Sequence, residues 1–290
     1  MKTTLGLVIA LVALSPPARA GSQGAVSGTA TSPDGIPIRY DAAGKGDPAL
    51  VFVHCGGCNR GFWDGQMAYF AAKHRVVALD LAGHGQSGRG RKDWTMAAFG
   101  EDVVSVVEAL DLKRVVLIGH SLGGPAVLEA ARRMPGRVAG LVLVDSWVDF
   151  ERRIAAEETE KFLSALQADY RATTNAITSQ YLFSASTPEP VKARVLETML
   201  SVPQEISVAV ARSSMAYSPL PALREIKAPI RAISSDLFPT NLEGNRKYAP
   251  GYQAAIMKGV GHYLMLEQPE AFNALLAEAL RELARSGGRR

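Results

Sequence analysis

Short runs of apolar residues recur along the chain, and segments with helical periodicity separate them. Six of these runs are predicted strands, and they span residues 49–54, 75–81, 114–120, 137–145, 229–236 and 252–259. Because they are largely apolar without alternation, we expect strands that are buried on both faces. Such strands alternating with helices predict an α/β fold with a mostly parallel central sheet between two layers of helices.

Shorter signals define three further elements of the core. Pro33-Asp34-Gly35 separates two segments of alternating polarity and predicts a hairpin at the edge of the sheet. Thr95 is a suitable N-cap for a helix that continues through 99–112. Residues 269–285 have the amphipathic periodicity of a closing helix.

The pattern changes between Trp147 and Leu223, where helical periodicity is interrupted by prolines and no strand is predicted. We interpret residues 147–223 as a helical cap inserted between two strands of the sheet. The core domain is then made of residues 21–146 and 224–290.

The first twenty residues have the pattern of a secretory signal peptide. Lys2 precedes an apolar run from Leu5 to Leu14, and Ala18-Arg19-Ala20 is a small-x-small cleavage site. The apolar run is too short to cross a bilayer, which needs about 20 residues. We therefore expect cleavage after Ala20, a secreted or periplasmic protein, and no membrane span in the mature chain.

Charge argues against nucleic acid as a partner. The chain has 32 Lys and Arg against 28 Asp and Glu, and two of the basic residues lie in the predicted signal peptide. Binding to phosphates needs a concentrated basic surface, and this near-balance does not predict one.

The most specific motif is Gly119-His120-Ser121-Leu122-Gly123, a G-x-S-x-G sequence between a predicted strand and a predicted helix. A serine on so tight a turn needs unusual backbone angles, and side chains at the flanking glycines would collide with their neighbours. The turn also places Ser121 at a helix N-terminus, where developing negative charge is stabilised. We predict that Ser121 is a nucleophile.

In this motif and three other segments the sequence resembles the α/β-hydrolase fold family. The others are the "HCGG" loop, "DLAGHGQS" and "GVGHYLMLEQPEAF", so the resemblance covers most of the mature chain and fades across the cap. It implies a triad in the chain order serine, acid, histidine.

The resemblance directs the choice of base and acid. His262 is the only one of the five histidines that follows both candidate acids. When the two hairpin strands are counted first, Asp145 ends the sixth predicted strand and Asp236 the seventh. Most relatives carry the acid after the later strand. Asp236 is therefore the predicted acid and Asp145 the alternative, although serines precede Asp236 where relatives usually have a glycine.

The cysteines lie in "VFVHCGGCNRGFWD", which contains the end of the predicted strand 49–54 and the loop after it. Relatives carry His-Gly-x there, which implies that the backbone N–H groups of Gly56 and Leu122 form the oxyanion hole. Cys55 stands in the place of the family glycine. Cys55 and Cys58 can form a disulfide in an exported protein or remain two thiols.

Other readings of these loops are less well supported. A thioredoxin-like site would place Cys-x-x-Cys at the start of a helix, and a zinc site would need two further ligands. Residues 83–88 fit G-x-G-x-x-G, but no helix follows directly, as a dinucleotide site requires.

Together these features predict a serine hydrolase that needs no cofactor or metal and cleaves a carboxylic ester of a small molecule. Amide, lactone or carbon–carbon bond cleavage would use the same residues. A different class remains open, namely a ligand-binding receptor that keeps the triad but has negligible turnover. Substrate identity and oligomeric state are not encoded in any of these motifs.

Overall fold

The computed structural model describes residues 24–287. The predicted signal peptide, residues 1–20, lies outside this range. Eight strands form one sheet, and their bounds are β1 Val26–Thr31, β2 Pro37–Ala43, β3 Ala49–Val53, β4 Val76–Leu79, β5 Val115–His120, β6 Val138–Val144, β7 Ile230–Ser235 and β8 Gln253–Met257. All six predicted apolar strands, β3 to β8, are confirmed.

The strand order across the sheet is β1-β2-β4-β3-β5-β6-β7-β8. Strand β2 pairs antiparallel with β1 and with β4, and all the other neighbours pair parallel. The predicted edge hairpin is therefore confirmed as β1 and β2. The parallel register aligns Val53 with Gly119, and His120 with Val144. As a result, the loops after β3, β5, β6 and β7 leave the sheet at the same edge.

Helices cover both faces of the sheet. The α-helices outside the cap are α1 Asp64–Phe70, α2 Met96–Ala109, α3 Gly123–Arg133, α9 Leu242–Tyr248, α10 Leu264–Glu267 and α11 Pro269–Gly287. The N-cap prediction for α2 is confirmed, because Thr95 Oγ1 accepts a hydrogen bond of 3.1 Å from Ala98 N–H.

The central strands divide their side chains between two apolar layers, as strands buried on both faces do. In β3, Val51 and Val53 pack in the layer formed with α2 and α3. Leu50 and Phe52 pack in the opposite layer with α1 and α11. Because β3 is packed on both faces, its position is fixed, and so is the start of the loop that follows it.

The segment predicted as the cap lies between β6 and β7 and contains no strand among its residues, all of which the structure describes. Its regular elements are α4 Ala156–Ala168, α5 Tyr170–Ile177, a π-helical turn Thr178–Leu182, α6 Glu189–Leu200, α7 Gln204–Ala216 and α8 Leu220–Glu225. Leu163, Leu166 and Val208 form a small apolar cluster between α4 and α7. The cap thus has packing of its own above the sheet edge.

Candidate active site

Ser121 lies on the turn between β5 and α3 with a φ of 52°. Positive φ is rare for a residue with a side chain, and the surrounding hydrogen bonds hold it there. Ser121 N–H donates to the Val144 carbonyl at 3.0 Å, and the Ser121 carbonyl accepts from Gly124 N–H at 2.9 Å. The Ser146 hydroxyl donates to the same carbonyl at 2.7 Å.

The glycines that flank Ser121 are required by space. A Cβ on Gly119 would collide with the carbonyl of Gly123, and a Cβ on Gly123 would collide with the carbonyl of Val53. Strand and helix therefore approach more closely at this turn than side chains would allow. This geometry is that of a nucleophile elbow.

His262 forms its closest polar contact with Asp145. The two side chains are almost fully buried, and His262 Nδ1 lies 2.6 Å from Asp145 Oδ2. A carboxylate can only accept, so Nδ1 carries the proton and Nε2 has the free lone pair of a base. Asp145 is held in turn by Ser235, whose N–H and hydroxyl donate to Oδ1 at 2.8 and 3.0 Å.

Asp236, the predicted acid, does not contact His262. Its side chain is exposed, and Oδ1 accepts a hydrogen bond of 2.9 Å from Gly259 N–H. The prediction that Asp236 pairs with His262 is therefore wrong, and the alternative residue Asp145 makes this contact. The physical reason is the φ of 42° at Asp145, a turn of the chain directly after β6. The serines before Asp236 were the sequence signal, since Ser235 is the donor to Asp145.

The backbone of His262 is fixed on both sides. His262 N–H donates to the carbonyl of Leu182 in the cap at 2.8 Å. The His262 carbonyl lies 2.9 Å from Nε2 of the buried His120. Because a carbonyl can only accept, this Nε2 carries the proton of His120. The imidazole thus depends for its position on the cap as well as on the strand-end loops.

Glu267 stabilises the same loop. Its carboxylate accepts from Gly261 N–H at 2.8 Å and from Tyr263 N–H at 3.3 Å, the two neighbours of His262. The hydroxyl of Thr187, in the cap, donates to it at 2.9 Å. No sequence motif indicated Glu267, although its position five residues after the histidine places it within reach of this loop.

The predicted oxyanion residues lie next to each other. A Cβ on Gly56 would lie 3.6 Å from Cδ2 of Leu122, and both residues line the same cavity as Ser121. Leu122 immediately follows the nucleophile and leads into α3. The two residues whose backbone N–H groups are predicted to form the oxyanion hole are thus neighbours beside the serine.

Cys55 and Cys58 are joined by a disulfide with a Cα–Cα distance of 5.3 Å. Both are buried, and their loop packs against the cap, where Met199 approaches Gly57. A 3₁₀ turn, Arg60–Trp63, follows the disulfide. Among the described residues there is no free cysteine.

Arg60 anchors this loop to the core. The Arg60 side chain is buried and forms ion pairs with Asp41 and Asp80. Asp80 also accepts from Gln86 N–H at 2.9 Å, within the turn that fits G-x-G-x-x-G. That turn closes on a buried ion pair, and the next helix begins only at Met96. It is therefore a structural turn rather than a dinucleotide loop.

Three histidines other than His262 are buried, and burial lowers the pKa of each. The pKa of His84 falls to about 3, that of His120 lies well below 6.5, and that of His54 is also lowered. Leu81 N–H donates to His54 Nε2 at 3.0 Å, so Nδ1 carries the proton and donates to the Cys55 carbonyl. These neutral rings fix backbone around the site.

A cavity of about 340 Å³ lies between the cap and Ser121. Its walls are mainly apolar, and Tyr170 and Ser207 form a hydrogen-bonded pair of hydroxyls, 2.8 Å apart, at its edge. The apolar residues of the cap that line it are Phe162, Leu166, Ile177, Leu182, Met199, Val210, Ala211 and Met215. The space suits an apolar group next to the nucleophile.

Within residues 24–287, no helix is long and apolar enough to cross a bilayer. In the same part of the chain, no group of three or more His, Cys, Asp or Glu side chains is arranged to hold a metal ion.

Comparison with known proteins defines the class. The model of the Alpha/beta hydrolase family matches residues 50–275. The chain therefore belongs to the alpha/beta hydrolase family, as the sequence motifs implied, and its sheet and helices have that fold.

Individual proteins are less similar. An uncharacterized protein of Mycobacterium tuberculosis is 39% identical over 107 residues, which are 37% of this chain and 31% of that protein. The chain thus matches only about a third of the length of this relative.

Solved structures match over a greater length. The structure described as Est816, an N-acyl homoserine lactone degrading enzyme, has a TM-score of 0.75 and 25% identity, covering 87% of this chain and 99% of its own. A thermophilic esterase from Thermogutta terrifontis has a TM-score of 0.76 at 24% identity, covering 89% of this chain and 98% of its own. At the latter identity the likeness concerns the fold alone.

Proposed function

We propose that this protein is a serine hydrolase that cleaves carboxylic esters of small molecules through an acyl-enzyme. The observation that carries the proposal is the hydrogen bond of 2.6 Å between His262 and Asp145, with Ser121 on the strained turn of the same site. The family membership and the esterase and lactone-degrading structures of the same fold support it.

The proposed reaction has two halves. Ser121 Oγ attacks the carbonyl carbon, and its proton passes to His262 Nε2, while Asp145 stabilises the imidazolium through Nδ1–H. The N–H groups of Gly56 and Leu122 stabilise the negative charge on the carbonyl oxygen. The alcohol leaves with the proton from His262, and water activated by the same imidazole then releases the acid and restores Ser121.

The main cavity favours an ester with an apolar group of moderate size. The cap residues around Ser121 provide an apolar surface, and no Lys or Arg is among the described residues that line this cavity. A lactone presents the same carbonyl chemistry to the same residues, so cyclic esters belong to the proposed substrate class.

The decisive experiment combines turnover with covalent labelling. Ser121→Ala should reduce kcat for a short p-nitrophenyl ester by several orders of magnitude, and should abolish labelling by a fluorophosphonate. Ser207→Ala is the matched control, because Ser207 lines the same cavity but does not lie on the elbow. Near wild-type turnover in Ser121→Ala would contradict the proposal. Wild-type protein that is labelled but hydrolyses no ester or lactone would favour the binding receptor instead.

We also propose that the protein is exported and that residues 1–20 are removed. The support is the charge and hydropathy pattern of this segment. Mass spectrometry of the protein from periplasmic and culture fractions should give a mature N-terminus at Gly21. Full-length chain that remains in the cytoplasm would contradict it.

A further inference from the structure

A second cavity, of about 260 Å³, adjoins Ser121. Ser121, Leu122, Ser214 and Met215 line both this cavity and the main one. The nucleophile therefore lies between two spaces, as expected for an enzyme whose substrate extends on both sides of the bond that is cut.

The second cavity differs from the main one in its charge. Its remaining walls come mostly from the chain that follows β6, including Asp145, Trp147, Asp149 and Arg152. Among the described residues that line the two cavities, Arg152 is the only Lys or Arg. The main cavity is thus mostly apolar, and the second cavity has one guanidinium in its walls together with the carboxylates of Asp145 and Asp149.

The guanidinium of Arg152 has its donors available. Neither a hydrogen bond nor an ion pair to this group is present within residues 24–287, and the side chain is exposed. Arg153 is different, because its guanidinium donates to the Ser218 hydroxyl at 2.9 Å and to the Phe150 carbonyl at 3.0 Å. Arg153 does not line either cavity.

The two carboxylates of the second cavity are already engaged. Asp145 accepts hydrogen bonds from His262 and Ser235. Asp149 accepts from Glu151 N–H at 2.9 Å and from the side-chain amide of Asn241 at 3.2 Å. These donors occupy oxygens of both carboxylates and stabilise their negative charge, whereas the five N–H donors of Arg152 remain for a ligand.

We propose that the second cavity is a subsite for an anionic group of the substrate, and that Arg152 binds a carboxylate there. The substrate class is then an ester with an apolar group on one side of the scissile bond and a carboxylate on the other. Planar carboxylates match the fork of a guanidinium, which can donate two parallel hydrogen bonds. This inference rests on the proposed serine hydrolase function.

The test uses matched substrate pairs in which an isopropyl group replaces the carboxylate. Hexyl hydrogen succinate is compared with hexyl 4-methylpentanoate, and 2-carboxyethyl hexanoate with 3-methylbutyl hexanoate. The first pair carries the anion on the acyl side and the second on the alcohol side. The release of acid by wild type, Arg152→Gln and Arg153→Gln gives kcat/KM for each ester.

In at least one pair, Arg152→Gln should lower the ratio of kcat/KM for the anionic ester to that for the neutral ester by about fivefold. Raising the salt concentration should reduce the wild-type ratio, because an exposed charge pair is screened. Arg153→Gln makes the same change in net charge away from the cavity and should leave the ratio unchanged.

A change of less than twofold in both pairs for Arg152→Gln, or an equal change for Arg153→Gln, would overturn the subsite. Hydrolysis of the neutral esters in that case leaves the serine hydrolase function intact. Failure of the wild type on all four esters and on the p-nitrophenyl ester would instead overturn the function, and the subsite with it.

Discussion

Backbone strain is concentrated around the candidate site. Ser121, Asp145 and Trp147 are three of the four non-glycine residues with positive φ in the described part of the chain. Such conformations cost on the order of 1–3 kcal/mol each and persist only where the surroundings hold them. Their position around one site is a physical argument, independent of motifs, that these turns serve function.

The first prediction at this scale concerns the acid. Asp145→Asn should lower kcat by about 10³- to 10⁴-fold, because an amide no longer holds the tautomer of His262 or stabilises its positive charge. Asparagine tolerates positive φ, so the turn after β6 should be retained. Asp236→Asn is the matched control, and it should have little effect because its exposed carboxylate contacts only Gly259. Steady-state kinetics with both variants checks this, and the reverse order of effects would restore Asp236 as the acid.

The second prediction concerns the disulfide. Replacement of Cys55 and Cys58 by alanine should lower kcat clearly and Tm only slightly. Closing so short a ring raises the free energy of the unfolded chain by about 2 kcal/mol at most, so the effect on stability is small. The bond lies beside Gly56, the predicted oxyanion residue, so the effect on kcat is larger. A mild reductant should have the same effect on the wild type and none on the double variant. A large loss of Tm at unchanged kcat would show that the bond is needed only for stability.

At the scale of elements, the position of His262 depends on two parts of the chain that are distant in sequence. Glu267 accepts hydrogen bonds from the loop that carries His262, and the Leu182 carbonyl of the cap accepts another from His262 N–H. Thr187, also in the cap, donates to Glu267. The cap therefore holds the loop of His262 as well as lining the main cavity. Displacement of the segment 182–187 would remove hydrogen bonds from this loop and from Glu267.

The prediction for this loop uses Glu267→Ala. Loss of the three hydrogen bonds that its carboxylate accepts should lower kcat by about 10- to 100-fold through misplacement of His262, with a smaller effect on KM. The rate of fluorophosphonate labelling should fall in parallel, and Glu267→Gln should recover part of the loss. Glu270→Ala, at the exposed start of α11, is the control. Unchanged labelling together with a reduced Tm would mean that Glu267 acts on stability alone.

The prediction for the cap compares two leucines of α4. Leu163 and Leu166 belong to the same buried cluster, but only Leu166 lines the main cavity. Leu166→Ala should shift preference toward longer apolar acyl groups, measured as kcat/KM over a series of esters. Leu163→Ala should cost about 2–5 kcal/mol of stability without such a shift. A uniform loss over the series in Leu166→Ala would show that the cap is needed for stability rather than for selection.

At the scale of the whole molecule, buried histidines couple the free energy of unfolding to pH. The pKa values of His54, His84 and His120 are lowered by burial. In the unfolded chain these histidines take up protons near pH 6.5, whereas in the folded protein they do so only at lower pH. Stability is therefore lost as pH falls below 6.5. Asp102 opposes this, since burial raises its pKa to about 6 and the folded protein then binds the additional proton.

Three histidines outweigh one aspartate, so Tm should decrease between pH 7 and pH 5. Each histidine contributes a slope of about 1.4 kcal/mol per pH unit while its folded state stays unprotonated. Scanning calorimetry over this range should detect the decrease, and His84→Asn should make the dependence shallower. A Tm that is constant or rises toward pH 5 would contradict it.

Much of the fold could be predicted from local patterns. Continuous apolar runs identified six strands, Pro-Asp-Gly identified the edge hairpin, and Thr95 identified the start of α2, because each depends on interactions within a few residues. The same holds for the elbow, where the spacing of the glycines in G-x-S-x-G expresses a steric requirement of one turn.

The sequence alone also determined that Ser121, His262 and an aspartate at a strand end would lie at one edge of a parallel sheet. Tertiary structure decided which aspartate. Asp145 and Asp236 end neighbouring strands, so motif order cannot separate them, and the choice depends on the backbone turn at Asp145 and on the donors of Ser235. Tertiary structure likewise decided that Leu182 binds His262 and that Thr187 binds Glu267 beside it. It also decided that Arg152 lines a cavity beside Ser121. Contacts between segments so far apart depend on how the cap packs onto the sheet, and no local pattern of the chain records that packing.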